Sequence, residues 1–145
     1  MISLESLARL VAEHGAKFSI PVPPLAIGDR EFATDDRPVL MGAVNLSRDS
    51  TYRDSIATSL EVAVRKARVM SAQGADVVDI GAESSTARAV RVGPGEQIAA
   101  LEPVVTALVG EGITVSVETY EPAVAKTCLK AGARVLNLTG GGRRR

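Results

Sequence analysis

Polar side chains able to hold a ligand stand at regular places after the apolar runs of this 145-residue chain. The first run ends at Asn45 and leads into NLSRDSTYRDS (45–55), which holds two arginines, two aspartates and five hydroxyl side chains. Hydroxyl, main-chain N–H and guanidinium groups can all donate hydrogen bonds to phosphate oxygens. Two interpretations of this loop stay open, a ligand-binding loop and an ordinary solvated loop.

The later apolar runs end in the same way. They are followed by a set of carboxylate, amide and hydroxyl side chains: Asp79, Glu83, Glu118, Thr119 and Asn137. A polar group at the end of every strand is unusual in a sheet with a purely structural role. The pattern predicts one functional face, built from several strand ends.

Four strands and three helices must position these residues. The strand candidates are rich in valine and isoleucine without strict alternation, which is typical of a parallel sheet buried on both faces; they are 39–46, 75–81, 113–119 and 133–139. Helical spacing is found between them, over 59–73, 95–110 and 121–131. Gly74, Gly112 and Gly132 fall where a left-handed helix cap is needed. The order predicted is βαβαβαβ.

The first residues follow a different pattern. Residues 3–14 place four apolar side chains on one helical face, with Gly15 as the expected stop. SIPVPP (19–24) has too many prolines for a regular element, and LAIGDREFA (25–33) predicts a hairpin around Gly28 and Asp29. We expect two parts: an N-terminal helix with a proline-rich lead (1–24) and a barrel-type domain (25–145).

Two architectures accept a βαβαβαβ order, an open doubly wound sheet and a (β/α) barrel. Both bind ligands beyond the carboxyl ends of their strands. The first strand is not followed by Gly-x-Gly-x-x-Gly, which weakens a dinucleotide-binding interpretation. The favoured fold class is α/β of the (β/α)8 TIM-barrel type. Because a full barrel takes about 250 residues, we expect only the first four βα units here.

Composition excludes several classes of function. The formal net charge is zero and aromatic residues make up 3%, so neither a charged nucleic-acid surface nor a stacking platform is expected. The single cysteine, Cys128, excludes an internal disulfide. The absence of a long apolar run and of a signal-peptide pattern predicts a cytoplasmic protein without a membrane partner.

Three motifs, in order and spacing, resemble one known family. RPVLMGAVNLSRDS (37–50), GADVVDIGAESS (74–85) and VSVETYEPAVAKTCLKAGARVLN (115–137) are similar to the N-terminal half of dihydropteroate synthase, a pterin-binding barrel family. The resemblance covers roughly residues 25–139, and the hairpin before the first strand fits it. It implies a transferase of folate biosynthesis, which condenses 6-hydroxymethyl-dihydropterin diphosphate with 4-aminobenzoate.

The resemblance also implies roles for the strand-end residues. Asp79, Glu118 and Asn137 match positions that bind the pterin, with Glu118 standing where the family has aspartate. Asn45 matches the residue that binds the diphosphate and its Mg²⁺ ion, so Mg²⁺ is the expected cofactor and Asn45 its expected ligand. Arg48 is expected to contribute to the diphosphate site.

Two loops are implied to act in catalysis. Asp49 and Ser50 match the first loop of the family, which closes over the diphosphate and the aminobenzoate. Ser85 keeps a hydroxyl where the second loop has threonine, and Arg88 stands two residues beyond the position of the family's loop arginine. The expected partners are the two small substrates and a second copy of the chain as a homodimer.

Two alternatives to an active synthase remain open. The resemblance ends after Asn137, so a truncated synthase is expected whose remaining strands lie outside these 145 residues. One alternative is a pterin-binding module without catalysis. The other is a half-barrel that dimerises to cover its open edges.

Overall fold

The computed structural model describes residues 2–47, 53–84 and 90–137. The chain divides into two compact units, Met1–Pro38 and Val39–Arg145. The domain boundary expected between residues 24 and 25 stays a prediction. In the described part of the chain, none of the helices is both long and apolar enough to cross a membrane.

The first unit contains a helix and a hairpin. Helix α1 (Leu4–His14) begins at Ser3, whose side chain accepts a hydrogen bond of 3.1 Å from the Ser6 N–H, as an N-cap should. It ends at His14 as predicted, but Gly15 has φ −51° and continues into a 3-10 helix (Gly15–Ser19). The stop is therefore a tightened turn rather than a left-handed cap.

The predicted hairpin is confirmed. Strands β1 (Leu25–Ile27) and β2 (Arg30–Phe32) pair antiparallel, with Ile27 opposite Arg30. Two residues connect them, and Gly28 has φ +60°. A two-residue hairpin turn demands positive φ, which glycine adopts without a steric cost.

The second unit is a parallel sheet with helical crossovers. Its strands are β3 (Met41–Asn45), β4 (Val77–Gly81), β5 (Val115–Glu118) and β6 (Val135–Asn137), hydrogen-bonded in sequence order. The connecting helices are α2 (Leu60–Ala72), α3 (Pro94–Gly110) and α4 (Pro122–Lys130). The predicted βαβαβαβ order is confirmed, with element ends within two residues of expectation except where β6 meets the undescribed residues.

Alternation along each strand separates two faces of this sheet. Buried apolar side chains of the central strands pack with those of the helices, among them Val44, Val78, Ile80, Val115 and Val117. Because side chains of neighbouring strand residues point to opposite faces, the residues between and after these project to the other side. Asn45, Asp79 and Glu118 thus share the face opposite the helix-packed core.

All three predicted glycine caps are confirmed. Gly74, Gly112 and Gly132 have φ of +104°, +76° and +110°, values that side chains rarely adopt. Each lies just after a helix and before the next strand, so each helix ends in time for the chain to enter the sheet.

Candidate functional site

Four residues form a row across the carboxyl ends of the parallel strands. Asn45 of β3 is paired with Gly81 of β4, Gly81 with Glu118 of β5, and Glu118 with Asn137 of β6. Because paired residues of neighbouring parallel strands project to the same face, the two amides and the carboxylate stand side by side. We call these four residues the strand-end row.

Gly81 keeps the middle of the strand-end row open. A β-carbon built on Gly81 would lie 3.2 Å from Glu118 Oε2 and 3.6 Å from Asn45 Oδ1. The carboxylate oxygen and the amide oxygen therefore border one small space, which any larger residue would fill. This space, bounded by hard oxygen atoms, is the centre of the candidate site.

Asn45 is fixed by the segment that returns from the first loop. Its Nδ2 donates a hydrogen bond of 2.7 Å to Ser55 Oγ, and Ser55 is fully buried. The Ala57 N–H also donates to the Asn45 carbonyl, at 2.7 Å. With Nδ2 bound to the hydroxyl, Oδ1 is the atom turned towards Gly81, so the amide presents an acceptor to the site.

Asp79 lies on β4, two residues before Gly81, and is hydrogen-bonded to the last strand. Asn137 Nδ2 donates a 3.0 Å hydrogen bond to Asp79 Oδ2, and this contact passes over β5, which lies between the two strands. Ser116 lies on β5 between these two strands and is paired in register with Asp79. Both Asp79 Oδ1 and Ser116 Oγ are buried and find no hydrogen-bond partner among the described residues.

Glu83 belongs to a buried network rather than to the strand-end row. Its carboxylate forms an ion pair with Arg91 and accepts a hydrogen bond of 3.1 Å from Gln97 Nε2. The Val92 N–H donates to it at 3.4 Å. With 8% of its surface exposed, Glu83 connects the end of β4 to the start of α3.

The same network reaches the end of β5. Thr119 Oγ1 donates a 2.9 Å hydrogen bond to Gln97 Oε1 and accepts one of 3.1 Å from the Glu121 N–H. Gln97 and Thr119 are 1% and 2% exposed. Polar groups at this depth are stable only when paired, so the network holds two loop segments firmly beside the strand ends.

The structure thus brings part of the predicted site together. Asn45 and Glu118 border the space over Gly81, and Asn137 joins Asp79 at the same end of the sheet. The remaining predicted residues lie outside the described part of the chain: Arg48, Asp49, Ser50, Ser85 and Arg88. Their roles stay predictions.

Two residues of the site, Ser55 and Gln97, were not predicted from the sequence. Ser55 lies in a polar loop where hydroxyl groups are common, so nothing marked it as the partner of Asn45. Gln97 could have been found, since it precedes Leu101, Val104 and Leu108 at helical spacing. A glutamine on an apolar helical stripe must find a buried partner.

The strand-end row offers oxygen atoms of the kind that Mg²⁺ binds. The described residues contain no group of three or more His, Cys, Asp or Glu side chains that could hold a metal on their own. Mg²⁺ instead takes one or two protein oxygens and completes its shell with water and substrate phosphates. The Asn45 and Glu118 oxygens that border the space over Gly81 are donors of that kind.

Comparison with known proteins agrees with this arrangement. The sequence pattern that describes the family "Pterin binding enzyme" matches residues 41–145. These residues contain the four parallel strands and the three helices that connect them. The chain belongs to the pterin binding enzyme family. The match begins at the first residue of β3, so the strand-end row lies inside it.

The relatives include several dihydropteroate synthases. The chain is 32% identical over 114 residues to that of Clostridium beijerinckii, covering 78% of this chain and 42% of the relative. It is similar to the structure of the Burkholderia cenocepacia synthase complexed with 7,8-dihydropteroate (TM-score 0.63, 36% identity, 81% of this chain, 38% of that one). It is also similar to the Xanthomonas albilineans synthase with 4-aminobenzoic acid (TM-score 0.68, 34% identity, 79% and 43%).

The similar structures explain the shape of the sheet. These synthases are TIM barrels, and the four parallel strands with their crossovers correspond to part of such a barrel. The chain spans about two fifths of the length of each of these three relatives. The predicted fold class and family are therefore confirmed.

Proposed function

We propose that the strand-end row binds the pterin of a dihydropteroate synthase reaction. The observation that carries this proposal is the register of Asn45, Gly81, Glu118 and Asn137, which gathers amide and carboxylate groups at one end of the sheet. In (β/α) barrels that end carries the active site. The ligands of the similar synthases, 7,8-dihydropteroate and 4-aminobenzoic acid, support this choice of substrates.

The pterin side of the site is polar and partly buried. A pterin ring edge carries amino and ring N–H donors beside carbonyl and ring nitrogen acceptors. The Glu118 carboxylate accepts hydrogen bonds, whereas the Asn137 amide both donates and accepts. The hydrogen bond from Asn137 to Asp79 orients that amide, so the assigned pterin-binding residues are Asp79, Glu118 and Asn137.

The diphosphate side lies nearer β3. Asn45, whose amide is turned by Ser55, is the residue proposed to hold Mg²⁺, and Arg48 in the adjoining loop would meet the diphosphate oxygens. When bound, the metal would neutralise charge on those oxygens. Asp49 and Ser50, together with Ser85 and Arg88 in the next loop, are the proposed catalytic residues beside the diphosphate.

The proposed reaction is a substitution at carbon. The amino nitrogen of 4-aminobenzoate forms a bond with the pterin methylene carbon, the bond from that carbon to the diphosphate oxygen breaks, and pyrophosphate leaves. The attacking nitrogen loses one proton. The protein orients both substrates and stabilises the charge on the leaving pyrophosphate. This mechanism needs no nucleophilic side chain from this chain.

Binding and turnover test the proposal separately. We expect 6-hydroxymethylpterin diphosphate to bind the 145-residue chain more tightly with Mg²⁺ than without it, measured by calorimetry. Asn137→Ala should weaken binding by roughly tenfold or more, because it removes a donor and leaves Asp79 buried and unpaired. Asn45→Ala should remove the Mg²⁺ dependence, and wild-type affinity in both variants would contradict the proposal. Release of pyrophosphate that depends on 4-aminobenzoate would then show catalysis.

A second candidate is a pterin-binding module that pairs with a second copy. It is favoured by the outer strand β6, which pairs only with β5 among the described residues. Beside it lies a cavity of about 640 Å³, lined mainly by apolar side chains of α4 and by Leu136. An uncovered edge strand invites further pairing. A concentration-dependent dimer in light scattering that binds the pterin without turnover would support this candidate, and a strict monomer would exclude it.

A further inference from the structure

The side-chain amide of Gln97 connects two segments that border the candidate site. Nε2 donates hydrogen bonds of 3.1 Å to Glu83 Oε2 and 2.8 Å to the Val92 carbonyl, and Oε1 accepts one of 2.9 Å from Thr119 Oγ1. These contacts use both N–H donors and one acceptor position of the amide. An amide so fully paired, with 1% of the residue exposed, has one fixed orientation.

Two of these contacts close the base of the loop between β4 and α3. Glu83 follows the end of β4 at Gly81, and Val92 stands just before α3, which begins at Pro94. The Arg91 ion pair with Glu83 adds a second connection across the same base. The separation of the two ends of this loop is therefore set by Gln97 and Glu83 together.

The third contact fixes the chain directly after Glu118. Thr119 donates to Gln97 and also accepts the Glu121 N–H, so its hydroxyl holds the turn that leads from β5 to α4. Since Thr119 follows Glu118 in the chain, the backbone position of Glu118 depends on the same amide.

We propose that Gln97 is a positioning residue that couples the base of the β4–α3 loop to the end of β5. It sets the distance between Glu83 and Val92, at the base of that loop, and the end of β5 at Glu118, acting through Glu83 and Thr119. The inference rests on the proposed function, in which Glu118 binds the pterin and the loop binds the diphosphate. Its consequence is specific: Gln97 matters most for a ligand that spans both places.

A mutant cycle read by NMR tests the coupling without any ligand. Thr119→Val removes the hydroxyl that binds Gln97, and we expect the Val92 and Arg91 amide signals to shift, although both belong to the other end of the network. In a Gln97→Met background the same change should leave these signals unmoved. Thr106→Val is the matched control, because among the described residues the Thr106 hydroxyl donates to the Glu102 carbonyl of its own helix and to nothing outside that helix.

Either of two NMR results would overturn the coupling. One is a Val92 signal that does not respond to Thr119→Val in the wild-type background. The other is an equal response with and without Gln97, which would mean that the coupling runs elsewhere. Gln73→Met, a change of an exposed glutamine at the end of α2, controls for the substitution itself.

Ligand binding tests the consequence for function. Gln97→Met should weaken 6-hydroxymethylpterin diphosphate by about tenfold but 6-hydroxymethylpterin by less than about threefold, because only the first ligand spans both places. Equal losses for the two compounds would show a merely structural role and contradict the proposal. If the wild-type chain binds neither compound, the proposed function fails, and the NMR cycle alone decides the role of Gln97.

Discussion

At the scale of single residues, Gly81 matters through the space that it leaves. A side chain there would enter the gap between Glu118 Oε2 and Asn45 Oδ1. Gly81→Ala should fold, since an alanine is accepted in a strand, yet weaken the binding of 6-hydroxymethylpterin diphosphate by about tenfold through a shift of a few tenths of an ångström. Calorimetric titration of the purified variant measures this loss.

Gly42 offers a matched control for this prediction. It lies on β3, where an added β-carbon would meet the Met70 side chain of α2 at 2.8 Å, on the helix-packed face. Gly42→Ala should lower the free energy of unfolding and leave the affinity unchanged. Equal affinity losses in the two variants would show that the space over Gly81 has no special role.

We expect Cys128 to make the stability of the chain depend on pH. Burial raises the pKa of its thiol to about 11, from an ordinary value of 9.0. Because the unfolded chain loses this proton first, the thiol contributes stability that is fully present below about pH 9 and is lost as the pH rises towards about 11. Urea unfolding should show a stability that falls over this interval.

The variant Cys128→Ala isolates the contribution of the thiol. It should be less stable at neutral pH, because it leaves a small cavity, but its stability should fall less steeply between pH 9 and 11. Parallel curves for the variant and the wild-type chain would contradict the assignment. Native Cys128, fully buried, should also resist thiol reagents at pH 8.

At the scale of elements, the glycine caps differ in what surrounds them. Gly74 and Gly132 both have positive φ, but only at Gly132 would a β-carbon collide, at 2.7 Å from Val109 Cγ1. Gly74→Ala should cost about 1 kcal/mol from backbone strain alone. Gly132→Ala should cost a further 1 kcal/mol or more, roughly, because α3 and α4 must separate.

Urea denaturation of the two variants measures that difference. A larger loss for Gly74→Ala than for Gly132→Ala would mean that the contact between Val109 and the end of α4 does not constrain the packing. Each variant is a control for the other, because both substitutions make the same chemical change at the same kind of helix end.

The elements of the sheet could be predicted from sequence because their signals are local. Apolar runs, helical stripes and the glycines at 74, 112 and 132 each depend on neighbouring residues. The polar residues after each strand predicted the strand-end row for the same reason: parallel strands bring their carboxyl ends to one edge. Asn45, Glu118 and Asn137 follow from that rule.

The rest of the site depends on contacts between distant segments. Asp79 and Asn137 are 58 residues apart and meet across β5, which no local pattern encodes. Ser55 was missed for the same reason, since its contact with Asn45 is set by the packing of the first loop. The helical stripe does mark Gln97 as buried, but its partner Glu83 lies 14 residues away and is set by the packing of α3. Gly81 looked like part of a motif, and its use as an open space needed the register of three strands.

At the scale of the whole molecule, the four strands are part of a larger architecture. The chain covers about two fifths of the three synthases named above, and a complete TIM barrel has eight strands. We propose that the strand-end row is the part of a pterin site that β3 to β6 supply. On this proposal, these four strands already recognise the pterin.

The most direct test is to locate the ligand on the chain. In an amide NMR titration with 6-hydroxymethylpterin diphosphate and Mg²⁺, the side-chain amide signals of Asn45 and Asn137 should move together, with the same apparent affinity. Both stand in the strand-end row, on strands that are not neighbours in the sheet. Shifts confined to the α4 cavity around Leu129 and Leu136, with both asparagine amides unmoved, would contradict the account.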